Sequence, residues 1–188
     1  MVDLKGRKVL VTGASRGIGL AIARKLAKEG AVLSLCARSR DSFSHVESEF
    51  DETRTYFIAG NLLKKRDPAE IVKKAAHLMN GIDIVINNAG KAFSKSIEQT
   101  DAADWDELMK LNARAPFLVC KESIKYLKES DSASIINISS VVGIKSYENQ
   151  AAYSASKHAL MGFTKALAKE VQQYGIRVHT IAPGGVAT

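Results

Sequence analysis

The sequence predicts an α/β protein built on a doubly wound parallel sheet with helices on both faces. Six short, apolar, β-branched runs recur along the 188 residues, and stretches with helical periodicity lie between them. The runs are apolar at successive positions, which is typical of strands buried on both faces of a parallel sheet. Ligands of such sheets bind beyond the carboxyl ends of the strands. The residues that close each strand are therefore the candidate functional residues.

The six predicted strands are, in order, KVLVTG, AVLSLCA, TYFIAG, IDIVINNAG, SIINISS and IRVHTIAP. After the first strand, a helix is expected to end at Gly30. One face of this helix is predicted to consist of Ile18, Ala21, Ile22, Lys25 and Leu26. The strands and helical stretches alternate along the whole chain. This alternation predicts crossover connections between parallel neighbours.

Three further helices are predicted. Asp67 and Pro68 begin the first with a capping residue and a first-turn proline. A long helix is expected from about residue 101 to 129, with a kink at Pro116, because proline removes one helical hydrogen bond. The last runs from Tyr153 to Tyr174. No linker or internal repeat interrupts the pattern, which predicts a single dinucleotide-binding domain over residues 1–188.

Composition and cysteine usage limit the class of protein. The chain is 46% hydrophobic and 25% charged, as in ordinary soluble globular proteins. No window reaches the ~18 apolar residues of a membrane span, and the first residues contain no signal peptide. Cys36 and Cys120 lie in apolar runs, which favours buried, reduced thiols in a cytoplasmic protein over a disulfide.

Charge and ligand spacing argue against two further classes of function. The net charge is +7, but no aromatic side chains interleave with the one dense basic cluster, at residues 64–66. Nucleic-acid binding is therefore not expected. The four histidines and two cysteines have no metal-ligand spacing, so no metal site is expected.

A glycine-rich segment joins the first strand to the first helix. In TGASRGIG, Gly13, Gly17 and Gly19 lead directly into the helix. Glycine permits a tight turn, and the missing side chains let a phosphate approach the backbone amides at the helix N-terminus. In this position, at the start of an alternating chain, the segment predicts a dinucleotide site.

Tyr153 and Lys157 form a second candidate pair, in YSASK. Residues four apart lie on one face of a helix, so a phenol and an ammonium are expected side by side. The arrangement is typical of an acid tuned by a neighbouring cation. Taken alone, the pair could equally be exposed and without function.

The chain resembles the short-chain dehydrogenase/reductase family over all 188 residues. The family's motifs occur in order: TGASRGIG at 12–19, NNAG at 87–90, Asn112 in the long helix, Ser140, Tyr153 with Lys157, and PGGVAT at 183–188. Ser140 precedes Tyr153 by 13 residues, the spacing of the family's catalytic serine. Six motifs in order are far more specific than any one of them.

The resemblance implies a catalytic tetrad. Tyr153 would be the general acid/base, and Lys157 would tune it and hold the nicotinamide ribose. Ser140 would hydrogen-bond the substrate carbonyl, and Asn112 would hold a water that links Lys157 to solvent. An ammonium about 5 Å from a phenol, at an effective dielectric of ~20, favours the phenolate by roughly 3 kcal/mol. Without the family pattern, Ser139 and Ser140 could merely end a strand, and Asn112 could be a surface residue.

The resemblance also implies contacts to a nicotinamide cofactor, made in part by Tyr153 and Lys157. The other implied residues are Gly13, Ser15, Arg16, Gly17, Ile18, Gly19, Arg38, Asn61, Leu62, Asn88, Ala89, Gly90, Pro183, Gly184, Val186 and Thr188. Asn61 departs from the acid usual in the family, although an amide oxygen can still accept a hydrogen bond from adenine.

The end of the second strand predicts the choice of cofactor. NAD-dependent relatives have an acid there, whereas this chain has Ala37 followed by Arg38, with Arg16 in the glycine-rich turn. Two guanidinium groups without a carboxylate suit the 2′-phosphate of NADP(H). The alternative is a solvated Arg38 that confers no preference.

The implied function is NADP(H)-dependent oxidoreduction of a small-molecule carbonyl or secondary alcohol. The alternative is a non-catalytic NADP(H)-binding module for redox sensing or interaction. A 3-oxoacyl carrier-protein substrate is common in similar relatives, but Asp131 and Tyr174 occupy the positions of the expected docking arginines. Acyl thioester, ketone, sugar and steroid substrates all remain open.

Two expectations concern the extent of the chain and its assembly. The family's substrate loop and last strand follow PGxxxT, and this chain ends at that threonine, so both are expected to be missing. A homodimer or homotetramer is expected through residues 101–129 and 153–174, unless their apolar residues are simply core. Those residues are Phe117, Leu118, Met161, Phe163 and Leu167.

Overall fold

The computed structural model describes residues 3–186 and contains six strands and five α-helices in that range. In chain order they are β1 (Lys8–Thr12), α1 (Gly17–Lys28), β2 (Val32–Ala37), β3 (Thr55–Ala59), α2 (Asp67–Met79), β4 (Ile84–Asn87), α3 (Ala102–Met109), α4 (Ala115–Leu127), β5 (Ser134–Ile138), α5 (Ala151–Val171) and β6 (Arg177–Ile181). The predicted α/β class is confirmed.

The six strands form one sheet in the order β3-β2-β1-β4-β5-β6, and each described pairing is parallel. The chain winds outward from β1 in one direction and then from β4 in the other, which is the predicted doubly wound fold. The order reverses between β1 and β4. The crevice beyond the carboxyl ends of these two strands is therefore where a ligand is expected.

Two apolar layers cover the sheet. Leu10 of β1 lies in a core cluster formed with α2, α4 and α5. Its neighbours Val9 and Val11 lie in the cluster on the opposite face, formed with α1 and with the β2–β3 connection. The alternation along β1 follows from the two-residue period of a strand, and both faces are buried because helices cover each of them.

The β2–β3 connection contains two short 3-10 turns, Arg40–Phe43 and Glu47–Glu49, and no α-helix. This departs from the predicted alternation of strand and helix. Phe43, Val46 and Phe50 are buried and cover the sheet in place of a helix. The Phe43 ring packs on Phe57 of β3 in a tilted arrangement, and the Phe50 ring packs on it edge-on. These aromatic side chains therefore cover this part of the sheet where the apolar face of a helix would otherwise lie.

The buried face of α1 differs from the predicted one. Gly19, Leu20, Ala23 and Leu26 are buried, whereas Ala21 and Lys25 are exposed. A Cβ on Gly19 would overlap the carbonyl oxygen of Gly13, so α1 packs tightly on the glycine-rich turn at this residue. The prediction from apolar periodicity was wrong because a glycine carries no hydrophobic signal.

The predicted long helix is interrupted by a π-helical segment, Lys110–Arg114, between α3 and α4. Pro116 lacks an N–H and cannot complete an α-helical hydrogen bond to the carbonyl of Asn112. The expected kink at Pro116 is therefore expressed one turn earlier, as a π-bulge. Asn112, at the centre of this π-segment, is completely buried.

Two smaller expectations also need correction. Asp67 begins α2 as predicted, but no side chain caps the N-terminus of this helix. The Asp67 carboxylate instead accepts a hydrogen bond from the backbone N–H of Asn61 at 2.8 Å. Leu167 is 5% exposed and belongs to the core, so it is not a surplus surface residue. Phe117, in contrast, is 44% exposed.

Candidate active site

The glycine-rich turn packs directly against the backbone of NNAG. Gly13 has φ +65°, and a Cβ there would lie 2.7 Å from the Cα of Ala89. Gly17 has φ +57° and begins α1. These backbone conformations and this close approach both require glycine. At Gly13 and Gly17 the turn therefore presents backbone without side chains.

The N-terminus of α1 has the features of a phosphate site. Arg16 is the N-cap residue, its side chain makes no capping hydrogen bond, and the first turn contains no acid. By comparison, the N-terminus of α3 is capped, because Asp101 accepts from the amide of Asp104 at 2.8 Å. Uncapped amides at a helix N-terminus bind anions well. The glycine cradle and the uncapped helix together fit a dinucleotide pyrophosphate.

Asn88 and Thr12 hold the turn and the NNAG segment together. The Asn88 amide nitrogen Nδ2 donates to the carbonyls of Thr12 and Gly13, both at 3.0 Å. The Thr12 hydroxyl accepts from the backbone amides of Asn88 and Ala89, both at 3.1 Å. Sequence reasoning did not single out Thr12, although it is the first residue of the glycine-rich motif.

Tyr153 and Lys157 lie in the first two turns of α5, at the carboxyl edge of β5. Lys157 is only 4% exposed, and its Nζ donates to the carbonyl of Ile138 at 3.0 Å. The same nitrogen lies 5.9 Å from the centre of the Tyr153 ring. Burial lowers the pKa of Lys157 to about 8. The alternative of an exposed pair is therefore wrong for the lysine, which is buried.

Asn112 is completely buried, so the alternative of a surface helix residue is wrong. Its Oδ1 accepts from the amide of Lys91 at 2.9 Å, and its Nδ2 donates to the Lys91 carbonyl at 2.8 Å. Nδ2 also donates to the Ser156 hydroxyl at 3.0 Å. The Ser156 hydroxyl in turn donates to the carbonyl of Tyr153 at 2.7 Å. These bonds fasten the π-segment to the chain after β4 and to α5.

Gly90 lies between these groups. A Cβ at this position would lie 3.1 Å from Oδ1 of Asn112 and 3.5 Å from Nζ of Lys157. A side chain at the end of the NNAG segment would therefore press against Asn112 and approach the Lys157 ammonium. The structure brings Gly90, Asn112, Tyr153 and Lys157 together, as the motif order predicted.

Ser139 and Ser140 follow β5 and differ in environment. The Ser139 hydroxyl is buried and lies 3.4 Å from the carbonyl of Lys157. Ser140 is half-buried and caps the 3-10 turn Val141–Gly143, accepting from the amide of Val142 at 3.4 Å. The Ser154 hydroxyl donates to the carbonyl of Val142 at 2.7 Å, which ties this turn to α5. Sequence reasoning treated Ser154 and Ser156 only as small residues.

Arginines surround the carboxyl end of β2. Arg40 pairs with Glu47 and also stacks over Phe57 at 4.8 Å. Arg16 and Arg38 are both exposed, and neither has a carboxylate partner within residues 3–186. Ala37 is buried where an acid would be needed to bind ribose hydroxyls. Two unneutralised guanidinium groups are therefore available at this edge.

The remaining predicted cofactor residues lie on two loops. After β3, Leu62 is buried, and the Oδ1 of Asn61 accepts from the Leu63 amide at 3.1 Å, so that oxygen already has one partner. After β6, the Pro183 carbonyl accepts from Val141 at 2.8 Å, while Gly184 and Val186 are exposed. Thr188 lies outside the described residues.

The described part of the chain contains neither a cluster of metal ligands nor a helix that could span a membrane. Between residues 3 and 186, no three His, Cys, Asp or Glu side chains cluster as metal ligands. No helix in the same range is both long and apolar enough to cross a bilayer. Cys36 and Cys120 are free thiols, and burial raises the pKa of both to about 12.

The chain is similar to known proteins over nearly its whole length. A family model described as short chain dehydrogenase matches residues 7–188. The 3-oxoacyl-(acyl-carrier-protein) reductase FabG of Aquifex aeolicus is 36% identical over 190 residues, which cover 100% of this chain and 77% of the relative. Nodulation protein G of a Rhizobium species is 36% identical, with coverage of 98% and 75%. A crystal structure of a dehydrogenase/reductase from Sinorhizobium meliloti matches with a TM-score of 0.93 at 35% identity, with coverage of 99% and 75%.

Proposed function

This chain belongs to the short-chain dehydrogenase family, whose members are oxidoreductases that use a nicotinamide cofactor, and we propose that it is an NADP(H)-dependent carbonyl reductase. The reverse reaction is the oxidation of a secondary alcohol. The observation that carries the proposal is the buried Lys157 ammonium, which lies 5.9 Å from the centre of the Tyr153 ring and donates to the Ile138 carbonyl. A buried amine without a carboxylate partner is costly, and such groups cluster at functional sites.

Tyr153 is the proposed general acid. The bound cofactor supplies the hydride that reduces the carbonyl carbon. As negative charge develops on the carbonyl oxygen, the Tyr153 hydroxyl donates a proton to it, and the Ser140 hydroxyl donates a hydrogen bond to the same oxygen. In the oxidative direction Tyr153 takes the proton back. Lys157 provides positive charge beside the phenol and donates to the nicotinamide ribose.

The proposed proton relay uses the backbone of Asn112. Its side chain is committed to Lys91 and Ser156, so it has little capacity left for a water. Its carbonyl lacks an α-helical partner, because that partner would be the N–H of Pro116. We propose that this carbonyl holds the water that links Lys157 to solvent.

The proposed cofactor contacts follow the family's pattern. The turn residues Gly13, Ser15, Arg16, Gly17, Ile18 and Gly19 bind the pyrophosphate. Arg38 and Arg16 bind the 2′-phosphate, which supports NADP(H) over NAD(H). The adenine and nicotinamide ends contact the remaining proposed residues: Asn61, Leu62, Asn88, Ala89, Gly90, Tyr153, Lys157, Pro183, Gly184, Val186 and Thr188.

The proposed setting is a cytoplasmic homodimer or homotetramer acting on a small-molecule carbonyl or alcohol. The two buried free thiols support a reducing compartment. The exposed Phe117 on α4 supports self-association. The substrate class stays open, because Asp131 and Tyr174 occupy the positions where a carrier-protein substrate would need arginines.

The test is a substrate panel with NADPH oxidation followed by absorbance. The panel contains 3-oxoacyl thioesters, ketones, sugars and steroids, each with and without Tyr153→Phe. Turnover that requires Tyr153 supports the reductase. Tight NADPH binding with no turnover on any substrate would instead support the non-catalytic binding module.

A further inference from the structure

A chain of buried polar side chains crosses the core between the sheet and two helices. The Asn87 amide nitrogen lies 2.9 Å from Oδ1 of Asn137 and 3.3 Å from Sγ of Cys120. The Asn137 amide nitrogen donates to the Thr164 hydroxyl at 2.8 Å. The Thr164 hydroxyl donates to the carbonyl of Leu160 at 2.7 Å. All four side chains of this polar chain are at most 3% exposed.

The polar chain connects the elements that carry the proposed site. Asn87 and Asn137 are register partners in β4 and β5. Asn87 directly precedes Asn88, which holds the glycine-rich turn. Asn137 directly precedes Ile138, whose carbonyl accepts from Lys157. Thr164 follows Lys157 on α5 by seven residues, or two turns, so both side chains lie on the face that packs on β5.

The hydrogen bonds of this polar chain have a single consistent direction. The Thr164 hydroxyl gives its hydrogen to its own helix, which leaves a lone pair for the Asn137 amide. The Asn137 amide oxygen accepts from Asn87, so both ends of the carboxamide are used. A buried amide that loses its acceptor keeps its full desolvation cost. A shift of α5 along β5 would therefore break a bond that water cannot replace.

We propose that Asn137 and Thr164 are positioning residues that fix the height of α5 on β5 and thereby hold the Lys157 ammonium beside Tyr153. The inference rests on the proposed function of Tyr153 and Lys157. Two bonds join α5 to β5 and lie two turns apart along the helix: Lys157 donates to the Ile138 carbonyl, and Thr164 accepts from the Asn137 amide. Two anchors at this separation fix both the translation and the tilt of the helix. With only one of these two bonds, α5 could still rotate about that bond.

The test variant is Thr164→Val, which keeps the shape of the side chain and removes the hydroxyl. Thr164→Ser restores the hydroxyl and is the conservative rescue. The matched control is Ser123→Ala in α4, because Ser123 is equally buried and its hydroxyl donates only to its own helix, to Val119 at 2.8 Å. A second variant, Thr164→Ala, leaves room for a water to satisfy the amide and so guards against misfolding.

Expected results separate positioning from a general loss of stability. Thr164→Val and Thr164→Ala lower kcat roughly 10- to 100-fold, because small displacements of reacting groups have effects of this size. The dissociation constant for NADPH changes less than about threefold, since the turn and α1 are untouched. The pH dependence of kcat also shifts to higher pH, because a looser α5 lets water reach the Lys157 ammonium and brings its pKa back toward the ordinary value of a lysine. Ser123→Ala changes neither kcat nor the pH profile.

Two results would overturn the positioning role of Asn137 and Thr164. If Thr164→Val melts at a lower temperature but keeps the kcat and pH profile of the unchanged protein, the polar chain only stabilises the core and the inference is wrong. The same holds if Ser123→Ala changes kcat as strongly as Thr164→Val. Because all comparisons use a substrate that the unchanged protein reduces, failure of the inference is distinguishable from failure of the proposed reductase function.

Discussion

The ammonium of Lys157 is almost completely removed from solvent, and this burial has opposite effects on stability and on the proposed chemistry. Inside the protein the charged form loses its hydration, and its one described hydrogen bond goes to a neutral carbonyl. The pKa of the group falls from 10.5 to about 8. A shift of this size corresponds to about 3 kcal/mol of stability lost at neutral pH. A lysine kept at such a site is expected to have a functional role.

We therefore expect Lys157→Met to be more stable than the unchanged protein at pH 7, and inactive. The gain is roughly 1–2 kcal/mol, because the unpaired Ile138 carbonyl offsets part of the relief. In the unchanged protein, the stability lost by burying the charged ammonium is lost in full below pH 8. This loss disappears as the pH rises toward 10.5, because the buried amine is then neutral. The advantage of the variant should shrink over that range. Chemical denaturation at pH 7 and pH 10 measures the difference in free energy of unfolding between the variant and the unchanged protein. Lys165→Met, at an exposed position, is the control. A gain in stability that is equal at both pH values would contradict the argument.

Tyr153→Phe is expected to abolish turnover and leave NADPH affinity within about threefold. The hydroxyl donates the proton, whereas the phosphates bind to the glycine-rich turn and α1. Steady-state kinetics and a fluorescence titration with NADPH measure the two quantities. Tyr126→Phe, near the end of α4, is the matched control. Substantial activity in the Tyr153 variant would overturn its role as general acid.

At the residue scale, sequence patterns predicted the groups with distinctive chemistry and missed those that position them. Asn112, Tyr153 and Lys157 could be predicted because they have fixed motifs and spacing. Thr12, Asn137 and Thr164 could not, because the hydrogen bonds that connect them to other elements join residues from 27 to 77 positions apart. A buried threonine and an exposed one have the same appearance in a sequence. Only the packed structure distinguishes them.

Elements with strong local signals could be predicted from the sequence, and elements set by tertiary packing could not. The six strands were found from their apolar runs, and the helix before Gly30 from its periodicity and its glycine stop. The prediction of which face of α1 is buried was wrong, because the close contact of this helix with the glycine-rich turn is made by Gly19, which is not hydrophobic. No helix was predicted in the β2–β3 connection, and the three side chains that cover the sheet there, Phe43, Val46 and Phe50, could not be identified from the sequence because only tertiary packing buries them.

The end of β2 is the element expected to select the cofactor. Arg38 and Arg16 are exposed and unneutralised, and charged hydrogen bonds to a phosphate are worth roughly 1.5–3 kcal/mol each. After desolvation losses, a preference for NADPH of tenfold to several hundredfold is expected. Replacing Ala37 by Asp and Arg38 by Ser together should reverse this preference, because a carboxylate repels the phosphate and binds free ribose hydroxyls.

The measurement is the ratio of kcat/KM for NADPH to that for NADH in both proteins. Arg54→Ser is the matched control, since Arg54 is exposed but already paired with Asp51. The control should keep the ratio of the unchanged protein. A ratio near one in the unchanged protein would mean that Arg16 and Arg38 do not bind the cofactor.

At the scale of the whole molecule, the order of the strands explains why distant motifs meet. Residues 12–19, 87–90 and 138–140 follow β1, β4 and β5, which are adjacent in the sheet and parallel. Their carboxyl ends therefore lie along one edge, and α5 returns over β5 to bring Tyr153 and Lys157 to the same edge. The location of these motifs at the carboxyl edge could be predicted from the alternation of elements, whereas the strand order that makes β1, β4 and β5 neighbours came from the structure. The chain spans about three quarters of the length of the relatives it matches.

The apolar surface of α4 and α5 determines the last prediction, which concerns assembly. Phe117 is 44% exposed and makes an edge-on contact with Phe163, with ring centres 6.0 Å apart. Leu118 and Met161 are half-buried. Leu167 belongs to the core, so the surface is smaller than the sequence predicted. An exposed phenylalanine that packs on a half-buried one from a neighbouring helix favours an interface between copies of the chain.

We expect the protein to sediment as a dimer or tetramer at tens of micromolar, and Phe117→Glu to shift it toward monomer. A carboxylate placed against its own copy across a two-fold axis would be desolvated without a partner. Ile97→Glu is the control, because Ile97 is 70% exposed but lies on the loop before α3. Sedimentation velocity measures the distribution for all three proteins, and circular dichroism checks that each is folded. A monomer in the unchanged protein would contradict the prediction, and an equal effect of Ile97→Glu would assign the interface to a different surface.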